Sequence, residues 1–155
     1  MRSLSFLFLI SLVSISFAMS DKEKLVAKAE DIKKVTVQDT AKIEGIKFYT
    51  QKNSYLKGEE VCFIFENSSK TDILLPSAAP FAIFEKTKPE VAIYSPTSAQ
   101  VITNVKPNEK KQWCWNQKDQ EGKEVSSGDY FARITFFDKS GNKYFLKSEF
   151  SLKIK

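Results

Sequence analysis

From Ile43 onward, apolar and polar positions alternate in short runs, and turn-forming residues separate these runs about every 8 to 15 positions. A period of two places successive side chains on opposite faces of an extended strand, so each run predicts a strand with one buried face. Short strands at regular spacing are typical of a sandwich or a barrel. The predicted strands are 46–50, 61–67, 72–75, 81–85, 91–95, 101–105, 111–117, 131–137 and 143–155.

The final run gives the clearest strand signal. Its apolar residues share one parity, while lysine, glutamate and serine take the other, which predicts one buried and one solvated face. The sequence DKSGNK separates this run from residues 131–137, and Gly141 within it can adopt a positive φ. The last two runs are therefore predicted to form an antiparallel hairpin. The apolar positions of the final run are Tyr144, Leu146, Phe150, Leu152 and Ile154.

The order of these runs defines the fold class. No amphipathic stretch of about 10 to 15 residues lies between them, which excludes parallel βαβ units. We therefore predict an all-β protein, an immunoglobulin-like antiparallel β-sandwich of seven to nine strands over residues 43–155. Residues 19–42 are predicted to be a charged N-terminal arm or a short helix, because Leu25, Ala29 and Ile32 recur at helical spacing.

Residues 1–18 have the composition of a secretory signal peptide. Arg2 supplies the positive end, an apolar core follows, and Ser16 and Ala18 place small residues where a signal peptidase cleaves. The apolar core has about 14 residues, fewer than the roughly 20 of a spanning helix, and an uncleaved anchor is the alternative. The mature chain is expected to be secreted, periplasmic or on the cell surface, with membrane contact only through an uncleaved signal peptide.

Composition excludes several kinds of chemistry. Histidine is absent, which removes His-dependent nucleophilic triads and the commonest metal ligand. Carboxylate pairs such as Asp119 with Glu121 lie in polar turns, and the segment 119–122 lacks the later ligands of a calcium loop. The sequence therefore predicts a protein that is not an enzyme, with no catalytic residue, no cofactor and no metal.

Charge gives no sign of a nucleic-acid ligand. Lys and Arg outnumber Asp and Glu by 24 to 19, a formal net charge of +5, but acids are interspersed along the chain. A solvated surface explains this distribution, because no basic face with interleaved aromatic residues is visible in the sequence. We therefore expect no nucleic-acid partner. Asn67-Ser68-Ser69 is a glycosylation sequon, relevant only in a host that glycosylates.

Three aromatic residues are predicted to belong to the structural core. Trp113 and Trp115 point to one side of their strand, and buried Trp commonly anchors a sandwich. The alternative is an exposed Trp that acts as a binding hot spot. Tyr130, within Gly128-Asp129-Tyr130, stands where sandwiches place a corner tyrosine whose hydroxyl bonds to upstream backbone.

Cys62 and Cys114 are the two cysteines of the sequence, and both fall in the middle of predicted strands. In an immunoglobulin-like order these strands are antiparallel neighbours, which would allow a disulfide. Both cysteines have the opposite parity to the bulky residues of their strands, so the bridge would lie on an outer face. Two separate thiols are the alternative, and export favours the disulfide.

The sequential order of motifs resembles the BsuPI-like domain, the intracellular proteinase inhibitor family. The segments that carry the resemblance cover about residues 46–137, and Asn108 stands where that family usually has glycine. The resemblance implies an immunoglobulin-like β-sandwich and inhibition of serine proteases. The segments are FIFENSS, ILLPSAAPFAIF, VAIYSP, KPNEKKQWCW and DQEGKEVSSGDY.

These observations lead to two functional hypotheses. The first is a secreted, non-catalytic protein-binding module; in its sharper form it inhibits a serine protease through a protruding loop, either 71–80 or 86–90. The second is a structural or accessory component of a cell envelope or surface assembly, tethered by the N-terminal arm. The sequence names no binding residue for either hypothesis.

Overall fold

The computed structural model describes residues 44–154, so the predicted signal peptide (1–18) and the predicted arm (19–42) lie outside the described residues. Within this range the chain forms ten β-strands and no helix. The strands are β1 Ile46–Thr50, β2 Ser54–Leu56, β3 Val61–Asn67, β4 Ile73–Leu75, β5 Phe81–Glu85, β6 Ala92–Tyr94, β7 Thr103–Val105, β8 Glu109–Trp115, β9 Gly128–Phe137 and β10 Lys143–Lys153.

The strands form two sheets. The smaller sheet has the order β1-β3-β8, and both of its pairings are antiparallel. In the larger sheet β10 lies between β2 and β9, and the other edge of β9 pairs with β5 and, at its end, with β4. β6 extends the sheet beyond β5, and β7 extends it beyond β4. The predicted hairpin of β9 and β10 is confirmed, with ten residue pairs in register.

The core lies between the two sheets and is rich in aromatic rings. Val61, Phe63 and Phe65 of β3 are fully buried, as the alternation along this strand requires. Phe63 packs against Phe150 of the opposite sheet with ring centroids 5.8 Å apart. Two sheets packed face to face over such a core confirm the predicted immunoglobulin-like β-sandwich.

The structure departs from the predicted strands in bounds and in number. β8 begins and ends two residues earlier than the predicted run 111–117, and β9 begins at Gly128, three residues before the predicted run 131–137. Ser54–Leu56 is a strand that the sequence pattern did not predict, and it pairs in parallel with the end of β10. This additional strand brings the described residues to ten strands instead of seven to nine. Ile154 was predicted to be buried by its parity, but β10 ends at Lys153 and Ile154 is 76% exposed.

Gly45 and Asn108 lie in turns and adopt left-handed backbone conformations, which most residues other than glycine and asparagine avoid. Asn108 has φ = 65°, in the region that Asn and Gly tolerate best. Gly45 has φ = 85°, and a Cβ at that position would lie 2.8 Å from the backbone nitrogen of Ser69. Both residues lie beside the end of β3. The backbone nitrogen of Asn108 donates to the oxygen of Asn67, and the backbone nitrogen of Ser68 donates to the oxygen of Gly45.

Candidate functional site

The structure joins Cys62 and Cys114 in a disulfide between β3 and β8. The two residues face each other directly in the antiparallel register, with their Cα atoms 4.0 Å apart. Cys62 is half-buried and Cys114 is exposed, so the bridge lies on the outer face of the smaller sheet as predicted. Glu60 lies beside both sulfur atoms, but sulfurs bonded to each other do not offer thiolates to a metal ion.

The three predicted core aromatics differ in burial. Trp115 is 1% exposed and its indole nitrogen donates a hydrogen bond to the backbone oxygen of Lys118 at 2.7 Å. Tyr130 is also 1% exposed, and its hydroxyl donates to the backbone oxygen of Ser126 at 2.7 Å, which is the geometry of a tyrosine corner. Burial, and secondarily the charge of Glu85, raises the pKa of Tyr130.

Trp113 lies at the margin of the core. It is half-buried and packs against Phe81 with ring centroids 6.1 Å apart. Its indole nitrogen donates to the backbone oxygen of Ala78 at 2.8 Å, which ties the segment after β4 to the smaller sheet. The indole of Trp113 therefore has a structural contact, and its nitrogen is already used within the domain.

Two motifs of the sequence have structural roles. Asn67, the sequon residue, is fully buried, and its amide nitrogen donates to the backbone oxygens of Thr71 and Val105, each at 2.9 Å. The folded domain therefore offers no site for a sugar at Asn67. The carboxylate of Asp119 accepts backbone hydrogen bonds from Glu121 and Lys123, each at 2.9 Å, which is a turn geometry and not a ligand cage.

The carboxyl groups with shifted pKa values in the described residues are all shifted downward. A side-chain hydrogen bond from Ser68, followed by one from Lys110, lowers the pKa of Glu66. The side chain of Lys111 lowers the pKa of Glu109. Burial acts to raise the pKa of Asp138, but hydrogen bonds led by those of Asn142 outweigh it and lower that pKa. Such groups are ionised acceptors, whereas a general acid near neutral pH needs a raised pKa.

The outer face of the larger sheet carries a set of cations and phenylalanines. Residues of β9 alternate between the core, where Ala132 and Ile134 are fully buried, and the outer face, where Arg133 is found. In register with Arg133 on that face stands Lys147 of β10, and Ala82 of β5 lies on its other side. We call the following residues the cationic face: Phe84, Phe131, Arg133, Lys143, Phe145 and Lys147.

Cation–aromatic contacts order the cationic face. The Arg133 guanidinium lies 4.6 Å from the ring centroid of Phe84 and 5.3 Å from that of Phe145. Lys143 lies 5.1 Å from the Phe145 centroid, and the Phe84 and Phe131 rings stack 4.9 Å apart at 6°. Both stacked rings are buried although they lie outside the main core. These contacts hold the cations in defined positions, because a cation over a ring face is attracted to its quadrupole.

A groove of about 340 Å³ adjoins the cationic face. It lies where the chain leaves the sheet between β4 and β5, and the segment after β6 forms its opposite wall. Its floor comes from outward-facing residues of β9 and from Lys143 at the start of β10. The lining combines prolines and other apolar groups with hydroxyls and two cations: Pro76, Ser77, Ala79, Pro80, Phe81, Ala82, Ser95, Pro96, Ser98, Gln100, Arg133, Thr135, Phe137 and Lys143.

The cationic face contains none of the residues that the sequence singled out, whereas the groove includes Pro76, Ser77, Ala79 and Pro80 of the predicted loop 71–80. The net positive charge was interpreted as a dispersed, solvated surface, whereas the hairpin register gathers Arg133, Lys143 and Lys147 on one face. The available signal was parity: Arg133, Thr135 and Phe137 alternate with buried residues of β9. The walls of the groove come from segments that are distant in sequence, so no local pattern in the sequence predicts the groove.

The two loops predicted to protrude differ in the structure. Residues 71–80 do not protrude, because they include β4, whose Ile73 and Leu75 are buried, and because Ala78 donates a backbone hydrogen bond to Ala99 at 3.2 Å. Residues 86–90 form an exposed turn between β5 and β6. Backbone hydrogen bonds Lys88 N to Glu85 O and Val91 N to Lys88 O stabilise this turn.

The fold and this site define an immunoglobulin-like β-sandwich with an ordered cationic face beside a groove. No protein-family model matches the chain, and no curated protein matches it either. Among residues 44–154, no helix is long and apolar enough to cross a membrane.

Two solved structures illustrate how distant the structural likeness is. The Pseudomonas fluorescens alkylpurine DNA glycosylase AlkC, bound to DNA containing an abasic site analog, is 13% identical and has a TM-score of 0.41. That match covers 70% of this chain and 30% of the glycosylase chain. The ASH/PapD-like domain of human CEP192 is 17% identical with a TM-score of 0.36, over 77% of this chain and 92% of that domain. Neither likeness bears on function.

Proposed function

We propose that this chain is an exported, non-catalytic binding module that holds a protein partner against the cationic face and its groove. The observation that carries the proposal is the ordered placement of Arg133 and Lys143, on rigid strands, at the edge of an open groove. Binding sites on strands hold their geometry better than sites on loops, and mixed apolar and polar linings suit protein ligands.

Support for a non-catalytic role comes from the chemistry of the groove. Its lining contributes hydroxyls, one amide and two cations, and it contains no carboxylate, cysteine or histidine. The one disulfide of the described residues lies on the other sheet, away from the groove residues. Export is supported by the signal-peptide pattern and by that disulfide, since disulfides persist in oxidising compartments.

Site-directed photo-crosslinking in cells tests the proposal. Benzoyl-phenylalanine replaces Thr135 in the groove in one variant and Gln112, exposed on the smaller sheet, in the matched control. We expect a discrete protein adduct from position 135 and none from position 112. Equal labelling from both positions, or none from either, would contradict the proposal. N-terminal sequencing of the exported chain should begin at Met19.

The identity of the adduct separates the two hypotheses on the partner. A single soluble protein supports a binding module in the strict sense. A large envelope or surface assembly supports the accessory role, and in that case removal of residues 19–42 should release the chain from the assembly.

Inhibition of a serine protease, which the BsuPI-like resemblance implies, is a second candidate function. The exposed turn 86–90 favours it, because a rigid turn with Lys88 near its tip could enter the acidic specificity pocket of a trypsin-like protease. Titration of the mature chain against a serine-protease panel tests this. We expect stoichiometric inhibition that Lys88→Ala abolishes and Lys118→Ala, a matched exposed lysine, leaves intact. Lack of inhibition across the panel would exclude this activity.

A further inference from the structure

We propose that the groove binds an extended, acidic segment of the protein partner, with Arg133 and Lys143 as receptors for its carboxylates. This inference rests on the proposed function and specifies the chemistry of its ligand.

The first step is the charge balance of the described residues. Seven lysines there form salt bridges with carboxylates of the domain, at distances from 2.6 to 3.7 Å. Within residues 44–154 no such bridge includes Arg133 or Lys143. Two cations that the domain itself does not neutralise therefore face the same groove, and an anionic ligand complements them.

The second step is the fixed orientation of Arg133. Its guanidinium lies over the rings of Phe84 and Phe145, while its side chain also lines the groove. A planar guanidinium held on aromatic faces keeps its N–H groups at the ring edges, where a carboxylate can accept two of them. Because the side chain is already ordered, little conformational entropy is lost when the carboxylate binds.

The third step concerns the shape and apolar content of the ligand. The groove runs between two irregular segments and offers hydroxyl and amide groups, which suit the backbone of an extended peptide. Beyond Gln100 at its rim, Val101 and Ile102 are 60% and 70% exposed. An exposed apolar pair that directly follows a residue of the groove wall favours a ligand in which acidic residues alternate with apolar ones.

The aromatic rings distinguish this ligand from a nucleic acid. Single-stranded nucleic acids need open ring faces on which bases stack. Here the Phe84 ring contacts Phe131 and Arg133, and Lys147 lies over the Phe131 ring at 5.4 Å.

Fluorescence anisotropy of the full mature chain tests the inference. The probe is a labelled peptide of repeated Glu-Pro-Val, and its matched control is the Gln-Pro-Val peptide of equal length. Arg133→Gln and Lys143→Gln should each weaken binding of the Glu peptide about tenfold, since hydrogen bonds between charged groups contribute about that much. Lys47→Gln, the same charge change on the smaller sheet, should leave binding unchanged. Arg133→Lys keeps the charge and serves as the conservative variant. Thermal unfolding of each variant shows whether the substitution has disturbed the packing.

Three results would overturn the inference: equal binding of both peptides, equal effects of Lys47→Gln and Lys143→Gln, or tighter binding of a labelled oligo-dT than of the Glu peptide. Self-association that Arg133→Gln abolishes would also overturn it, because a second copy would then occupy the face. If the Glu peptide does not bind but position 135 still crosslinks a protein partner, the proposal of an acidic ligand is refuted and the proposed binding function is retained. If the Glu peptide does not bind and position 135 crosslinks no protein, both proposals are refuted.

Discussion

Reduction of the Cys62–Cys114 disulfide is expected to lower the free energy of unfolding by at most about 4 kcal/mol. The bridge closes a loop with a sequence separation of 52 residues, and cross-linking a chain over that distance removes conformational entropy mainly from the unfolded state. The folded state loses little, because β3 and β8 remain paired from Val61–Trp115 to Asn67–Glu109 without the bridge. With a slope of about 2 kcal/mol per molar urea, the unfolding midpoint should fall by at most about 2 M.

The assay is urea unfolding of the mature chain, followed by tryptophan fluorescence with and without dithiothreitol. The bridge is accessible to the reductant because Cys114 is exposed. The variant Cys62→Ser/Cys114→Ser should match the reduced chain and should not respond to dithiothreitol. An unchanged midpoint on reduction would refute the loop-entropy reasoning, and so would a loss much larger than the calculated limit.

Three further changes test the local structure. Gly45→Ala should destabilise the domain by about 2 kcal/mol, because its left-handed φ and the 2.8 Å approach to Ser69 both oppose a side chain; a neutral result in urea unfolding would contradict this. Asn67→Ala should cost about 2 kcal/mol in the same assay, because it removes two side-chain hydrogen bonds, to the backbone oxygens of Thr71 and Val105. The lowered pKa of Glu66 means that its contribution to stability is present above its ordinary value of 4.5 and is lost as pH falls through the folded pKa. Glu66→Gln should therefore flatten the decline of stability in acid, a result that Glu121→Gln, a matched exposed acid, should not reproduce.

Much of the fold follows from alternation in the sequence. The bounds of β1, β3 and β5 agree with their predicted runs, because each strand has one face in the core and the hydrophobic pattern records that face. β2 has three residues, too few for a period of two to be visible, and its partner β10 lies almost one hundred residues away. Pairing over that distance leaves no local signal.

Parity predicts the face of a residue but not its depth. Trp113 and Trp115 share a parity, yet Trp115 is fully buried whereas Trp113 lies at the margin of the core. The candidate site was less predictable still. Arg133 and Lys143 line the same groove because of the hairpin register, and the walls of the groove come from other parts of the chain. A single sequence contains the charges of such a site but not their proximity.

The parallel pairing of β2 with the end of β10 has a mechanical consequence. Hydrogen bonds from Lys57 to Lys153 and from Ser151 to Asn53, at 2.9 and 3.0 Å, join the two strands side by side. A pull on the N-terminal side of β2 and the C-terminal side of β10 acts in opposite directions along parallel strands, so it loads these bonds in shear. Bonds loaded in shear must break together, whereas bonds at the end of a hairpin break one after another. The pairing of β2 with β10 is therefore expected to resist tension between these two strands better than the end of a hairpin would.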